Sequence, residues 1–287
     1  MNYEAIDREI YASQYIYIIL SSSQLQLPQR LADTMPRITP TYPDPIPSSY
    51  TPKTSITKLP ANTPLEYILA VLSRDGGVIL ENLVSPSQLS AIDSEIQPWN
   101  QQTRHSADSS TSKTDAFTIM PSQTTIIPGL VGKSPTVAHI CEHPVLEGLR
   151  QHILVDKFNV HREDFYEPNT IDPLLSLSMC MSIGYGAPRQ RLHRDDNIHG
   201  IRHKGDKKWG FERVSGIGVL IAGCEVKREN GATMFVPGSH KWDDERRPEL
   251  DEVCFAGKLL LPATLLTEEE TLLITSDSCQ KCQLAQP

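Results

Sequence analysis

The chain has no long apolar run. Its longest near the start, Tyr15-Ile16-Tyr17-Ile18-Ile19-Leu20, is far too short to cross a bilayer. That stretch also lacks the basic flank and small-residue cleavage site of a secretory signal. A basic stripe is missing too: 27 Lys and Arg stand against 35 Asp and Glu, a formal net charge of −8, which argues against nucleic acid as a partner. Cysteine is sparse. Cys141, Cys180, Cys224 and Cys254 lie far apart, as buried free thiols do, and agree with an expected cytoplasmic location. Only Cys279-Gln280-Lys281-Cys282 has ligand spacing, and a single pair near the C-terminus with no second pair is read as accidental. There is no internal repeat. Two further absences bear on chemistry: no histidine follows His240, and no arginine follows Arg247.

What is present suits one large domain or two small ones, since 287 residues can bury a substantial core. Residues 1–60 stand apart as a Pro-rich extension expected to be disordered: Pro28, Pro36, Pro40, Pro43, Pro45, Pro47 and Pro52 fall among Ser and Thr with no apolar period. Order is expected from Thr63-Pro64, with Pro at the first helical position and Leu65, Ile68, Leu69 and Leu72 at helical spacing up to Gly76-Gly77. Val78-Ile79-Leu80 then predicts a short buried strand. Ser85-Pro86 opens a helix with Leu89, Ile92 and Ile96 on one face, and His143-Pro144 to Leu154 a third. From Leu174 the period becomes 2. Leu175, Leu177, Met179, Met181, Ile183 and Tyr185 alternate with Ser176, Ser178, Cys180, Ser182 and Gly184, a strand with one buried face. Ile217, Val219 and Ile221, then Ala232 to Val236, predict two more. Helices first and strands afterwards imply a mainly β (α+β) fold, a sandwich or jelly roll buttressed by N-terminal helices.

The chemistry centres on His193-Arg194-Asp195-Asp196. An imidazole and a carboxylate two residues apart on an extended strand point to one side and can reach one ion. With a distant second His they make the 2-His-1-carboxylate set, which leaves positions on Fe(II) open for a 2-oxo acid and dioxygen. By itself the pair is as easily a surface salt bridge.

Its ordered neighbours decide between these readings. Gln190-Arg191-Leu192-His193-Arg194-Asp195-Asp196-Asn197, Glu229-Asn230-Gly231-Ala232-Thr233 and Val236-Pro237-Gly238-Ser239-His240-Lys241-Trp242-Asp243-Asp244 resemble the phytanoyl-CoA dioxygenase family, nearest to fungal members that tailor terpenoids and alkaloids. Arg74-Asp75-Gly76-Gly77-Val78, Asn82-Leu83-Val84 and Gly129-Leu130-Val131-Gly132-Lys133-Ser134-Pro135 agree, so the resemblance spans about residues 64–254. It implies a double-stranded β-helix (jelly roll, cupin-like) with N-terminal helices in support. It further implies Fe(II), with 2-oxoglutarate and O2 as co-substrates, and oxidation of a small molecule of secondary metabolism by hydroxylation, desaturation or rearrangement. By its pattern His193 and Asp195 are metal ligands, and Gln190 and Thr233 contact 2-oxoglutarate. His240 is placed by the family in a Pro-Gly-Ser-His-x-Trp loop near the barrel mouth, not on the metal, and Asp243, Asp244, Arg246 and Arg247 are expected to form a solvated turn. Thr124-Thr125-Ile126-Ile127-Pro128 lacks the Arg many fungal relatives carry before Gly-Leu-Val. The substrate pocket is expected to draw on loops such as Asn197 to Lys208. A small-molecule substrate, no nucleic acid, no membrane and a homodimer as the oligomer left open complete the expected partners.

The resemblance stops after Glu252-Val253, leaving no distal His and no carboxylate-pairing Arg. Read one register on, with suitable codons, Leu266-Thr267-Glu268-Glu269-Glu270-Thr271 becomes His-Gly-Gly-Gly-Asn, and Ser276-Asp277 can yield Arg. Residues 61–254 are therefore taken as the dioxygenase domain and 255–287 as an aberrant tail produced by frameshift or mis-splicing. The rival reading is a catalytically inactive homologue or a small-molecule-binding jelly roll.

Overall fold

The computed structural model describes residues 11–21, 44, 46–47, 49–109, 123–205, 209–256, 271–276 and 281–283. Strand β1 (Tyr11–Ser21) is followed by β2 (Lys58–Pro60), helix α1 (Leu65–Asp75), β3 (Gly77–Glu81) and helix α2 (Pro86–Ser109). Next come β4 (Thr124–Pro128), helices α3 (Pro135–Cys141) and α4 (Pro144–Leu149), and a hairpin of β5 (Asp156–Arg162) and β6 (Phe165–Ile171). Strands β7 (Leu174–Gly184), β8 (Gly216–Ala222), β9 (Thr233–Phe235), β10 (Cys254–Ala256), β11 (Thr271–Ser276) and β12 (Lys281–Gln283) complete the series. Seven strands form one sheet in the order β2-β3-β11-β8-β1-β7-β4, and β10-β9-β12 form a second. The hairpin is a separate two-stranded ribbon.

Alternation along each strand decides which residue serves which layer. Ile16, Ile18, Val78, Leu80, Ile217, Val219 and Ile221 face the helices, where they meet Ile68 and Leu72 of α1, Ile92 and Ile96 of α2 and Leu149 of α4. Tyr17, Ile19, Ile79, Met179, Met181 and Leu220 turn the other way and pack on Phe235 and Cys254 of the small sheet. Each fully buried Ile of this kind contributes roughly 1.5–3 kcal/mol. The sheets approach closely where β3 begins: a Cβ on Gly77 would lie 2.5 Å from Phe235 Cζ. Gly76 just before it caps α1 at φ 75°, donating its N–H to Leu72 O at 2.8 Å. Both glycines of the predicted helix stop thus have separate work. The molecule is mostly sheet, two layers with helices on the outer face of the larger.

Several elements differ from the sequence expectations. The segment assigned to a proline-rich extension contains β1, which lies inside the large sheet and pairs antiparallel with both β7 and β8. Its alternating aromatic and β-branched residues carry the reason: Ile16, Tyr17, Ile18 and Ile19 are all buried, two to each face. Residues near 50 also pack down. Tyr50 Oη lies 2.6 Å from the carbonyls of both Leu250 and Val253, and Arg228 donates to the Tyr50 carbonyl at 2.7 Å. Strand β7 was expected to bury one face only, yet Ser178 to Ile183 are buried on both. Its second face is small and polar enough to be satisfied locally: Ser178 Oγ accepts from Val131 N–H at 3.2 Å, and Cys180 Sγ from Gln14 Nε2 at 3.2 Å. Burial pushes the Cys180 thiol up to about 11. The helix expected through Leu154 widens after Leu149 into a π-helical turn, Arg150–Leu154. Within the tail taken as aberrant, β11 inserts between β3 and β8, and β12 pairs with β9. Leu266 and Thr267, where the register change was placed, lie outside the described residues.

Candidate functional site

The connection from β7 to β8 carries the predicted ligands. It turns at Gly186, buries Gln190, and brings His193 to the start of a 3-10 turn, Asp195–His199. The turn, rather than a continuous strand, sets the geometry here. His193 Nε2 lies 3.4 Å from Asp195 Oδ1. On the other side of the ring, Nδ1 is 2.8 Å from the Arg191 carbonyl. A carbonyl can only accept, so Nδ1 carries a proton and Nε2 is the ring nitrogen that faces Asp195. That is how a metal-binding imidazole is commonly held, its second nitrogen donating to a backbone oxygen. Two ligands cis to each other at metal–ligand distances near 2.1 Å sit about 3 Å apart, so the pair fits two legs of a metal site.

The residues that alternate with these two are buried and anchor the loop. Arg194 is 4% exposed and reaches the 239–244 segment: Nη2 donates to Ser239 O at 3.0 Å, and Nη1 to Asp244 Oδ1 at 3.1 Å. Asp196 is 1% exposed and accepts from Ser215 Oγ at 2.9 Å and from His203 Nε2 at 3.1 Å. Asp244 also accepts the His203 N–H at 3.0 Å, so the two segments are cross-tied. The turn expected to be solvated is therefore part of the loop's support at Asp244, while Asp243 Oδ1 caps the N–H groups of Glu245 and Arg246 at 3.0 and 2.8 Å. Sequence reading missed Arg194, Asp196 and His203 as a network. Its visible trace was the run of alternating charge, which cannot say which charges go inside.

His240 lies 3% exposed, edge-on to Trp209 with ring centroids 4.5 Å apart, and its Nε2 is 3.3 Å from the Ser73 carbonyl. Burial is the main cause that lowers its imidazole to about 4, so it is neutral near pH 7. Thr233 opens β9 with a buried hydroxyl that has no hydrogen-bond partner among the described residues. It shares a strand face with Phe235, the side that meets the large sheet, whereas Leu192 packs on the opposite side with Ala232, Met234 and Val236. The structure thus joins His193 to Asp195, keeps Gln190 buried in their loop, and places Thr233 on the facing sheet. Among the described residues no three His, Cys, Asp or Glu side chains gather as a metal-binding group.

A sheet-rich body flanked by helices, with a half-buried His-x-Asp pair at one loop, is the form of a non-heme metal oxygenase. The chain belongs to the phytanoyl-CoA dioxygenase family, non-heme iron, 2-oxoglutarate-dependent dioxygenases, whose model matches residues 72–276. That match runs past Val253, where sequence reading ended the resemblance, and takes in β11. The chain is 48% identical over 217 residues to "Dioxygenase swnH1" of Arthroderma benhamiae, covering 76% of this chain and 68% of that one. With "Dioxygenase swnH1" of Metarhizium robertsii it shares 49% over 215 residues, 75% of this chain and 68% of that one. Among solved structures, EctD from S. alaskensis with bound Fe is similar at 14% identity and a TM-score of 0.46, over 78% of this chain and 73% of that one. No described helix is long and apolar enough to cross a membrane.

Proposed function

We propose that the chain is an Fe(II)/2-oxoglutarate-dependent dioxygenase that oxidises a small-molecule intermediate of secondary metabolism, such as a terpenoid or alkaloid. On this reading its two sheets are the walls of a double-stranded β-helix. The observation that carries it is the 3.4 Å His193–Asp195 pair with Nδ1 held by the Arg191 carbonyl, in a chain 48% identical to a dioxygenase.

Iron(II) bound there supplies dioxygen activation coupled to oxidative decarboxylation of 2-oxoglutarate to succinate. The chain's own groups do the rest. Asp195 brings a carboxylate, and His193 a ring whose Nδ1–H is held by the Arg191 carbonyl. Buried Arg194 and Asp196 hold those two side chains in register from either side. The Gln190 amide and the Thr233 hydroxyl are donors for the co-substrate's carboxylates; the unmatched, buried Thr233 oxygen supports that role. Tyr17, Met179, Met181 and Leu220 pack with Phe235 between the sheets and exclude water there. This chain has no His after His240, so on this proposal the third ligand belongs to a product read in the changed register across Leu266 and Thr267. The nucleotide sequence tests that part directly: codons that do not spell His one register on remove it.

A second reading, a non-catalytic homologue that binds a small molecule, is favoured by the absence of a three-ligand group among the described residues. Anaerobic titration of the purified chain with Fe(II), followed by a succinate assay with 2-oxoglutarate and O2, separates the two. Iron binding lost in His193→Ala, together with succinate formation, supports the dioxygenase. A folded chain that does neither overturns the dioxygenase reading for this sequence.

A further inference from the structure

The ribbon of β5 and β6 is built unlike the rest of the molecule. Every residue of β5 except Val160, and every residue of β6 except Ile171, is exposed. Four of them are aromatic: Phe158, His161, Phe165 and Tyr166, with Phe165 and Tyr166 57% and 69% exposed and Tyr166 tilted against His161 at a centroid distance of 5.0 Å. A two-stranded ribbon on its own is marginal in water, so one carrying bare aromatics is poorly explained as a finished surface.

The ribbon's two edges are not equal. Asn159 stands opposite Pro168. Opposed residues of an antiparallel ladder alternate between pairs that exchange N–H···O=C bonds and pairs whose backbone groups turn away. Proline has no N–H, so Asn159–Pro168 suits the second kind. Lys157, Asn159 and His161 then present their N–H and C=O groups along the outer edge of β5. The outer edge of β6 lacks its central donor and is blunted, as proline blunts edge strands. Among the described residues β5 pairs with β6 alone.

We infer that the outer edge of β5 pairs antiparallel with β5 of a second copy of this chain, forming a two-fold dimer through a four-stranded sheet. Paired about Asn159, the strand complements itself. Asp156 falls opposite Arg162, Phe158 opposite Val160, and Lys157 opposite His161. Phe158 and Val160 share one face of β5 with Asp156 and Arg162, so pairing sets Phe158 of each copy against Val160 of the other at the centre of that face, with the Asp156–Arg162 pairs at its two ends. Arg162 already pairs with Glu167 at 2.9 Å, and the second copy's Asp156 reaches the same guanidinium, one cation between two carboxylates. No acidic residue meets another directly across the strand, and Lys157 stands opposite His161. A seven-residue ladder is a small interface, so the dimer should be of micromolar strength.

Sedimentation of the full chain, from a few to a few hundred micromolar, tests this without reference to catalysis. Concentration-dependent dimerisation is expected. Asn159→Pro removes only an outward N–H and should abolish it, and Asp156→Arg should weaken it roughly tenfold by opposing two arginines at both ends. The double variant Asp156→Arg with Arg162→Asp should restore it. These positions are exposed, so circular dichroism should stay unchanged. A monomer throughout, dimerisation undiminished by Asn159→Pro, or no restoration in the double variant each overturns the inference.

Discussion

The loop from Gly186 to Ser215 and the ribbon from Asp156 to Ile171 flank the same strand, β7, and place their residues in opposite ways. In the loop, charged side chains go inside: Arg194 and Asp196 are buried and cross-tied to Asp244, His203 and Ser215. In the ribbon, apolar rings stay outside. Burying a charge costs several kcal/mol unless each partner is supplied, so it is worthwhile where geometry must not drift. An exposed ring costs little within one molecule and becomes useful only against a second surface. The loop is organised for internal precision, and the ribbon for contact.

The largest expected break of this contrast is Asp195→Ala, which should leave the fold intact and remove Fe(II) binding altogether, as read by anaerobic calorimetric titration. Unchanged iron affinity would show that the loop's order serves something other than a metal. Next is Arg194→Leu. It strands Asp244, which is 31% exposed, and should lower stability by about 2–3 kcal/mol in urea unfolding while reducing iron affinity. A neutral outcome would mean the loop is held by its backbone alone.

Acid sharpens the same contrast through His240, which sits in the segment that Arg194 grips. Burial keeps its imidazole at about 4, against 6.5 in the unfolded chain. As pH falls, the unfolded chain takes the proton first. The contribution is complete above pH 6.5 and is lost progressively toward pH 4, by about 2 kcal/mol at pH 5. Urea midpoints at neutral pH and pH 5, compared with His240→Gln, should show that slope flatten in the variant. The smallest effect belongs to the ribbon: Phe165→Ser, measured on the monomer, should shift stability by no more than about 0.5 kcal/mol, because its ring is exposed. A large loss would mean that the ring is packed and the contrast is false.

Local patterns made much of the fold legible. The 3.6-residue spacing of Ile68 and Leu72, the Gly76 stop and the alternation through β7 and β8 appear where the sequence places them. Tyr15 to Leu20 was harder. Its apolar run reads against a membrane span and a secretory signal, and it lies beside a proline-rich stretch, so nothing local announces that it pairs with strands some 160 residues away. The His193–Asp195 pair was legible because both ligands sit in one short motif. The supports at Asp244, His203 and Ser215 were not, because long-range hydrogen bonds leave no spacing in the chain.

Sequence alone determined the family, the two proposed ligands and the helices that begin the domain, since these rest on contiguous motifs and on periodicity set by backbone geometry. Tertiary structure decided that β1 lies inside the large sheet, that Arg194 and Asp196 are buried, and that only one edge of the ribbon is open. Each of those depends on which distant segments arrive beside one another, a matter of packing and partner supply that no residue specifies by itself.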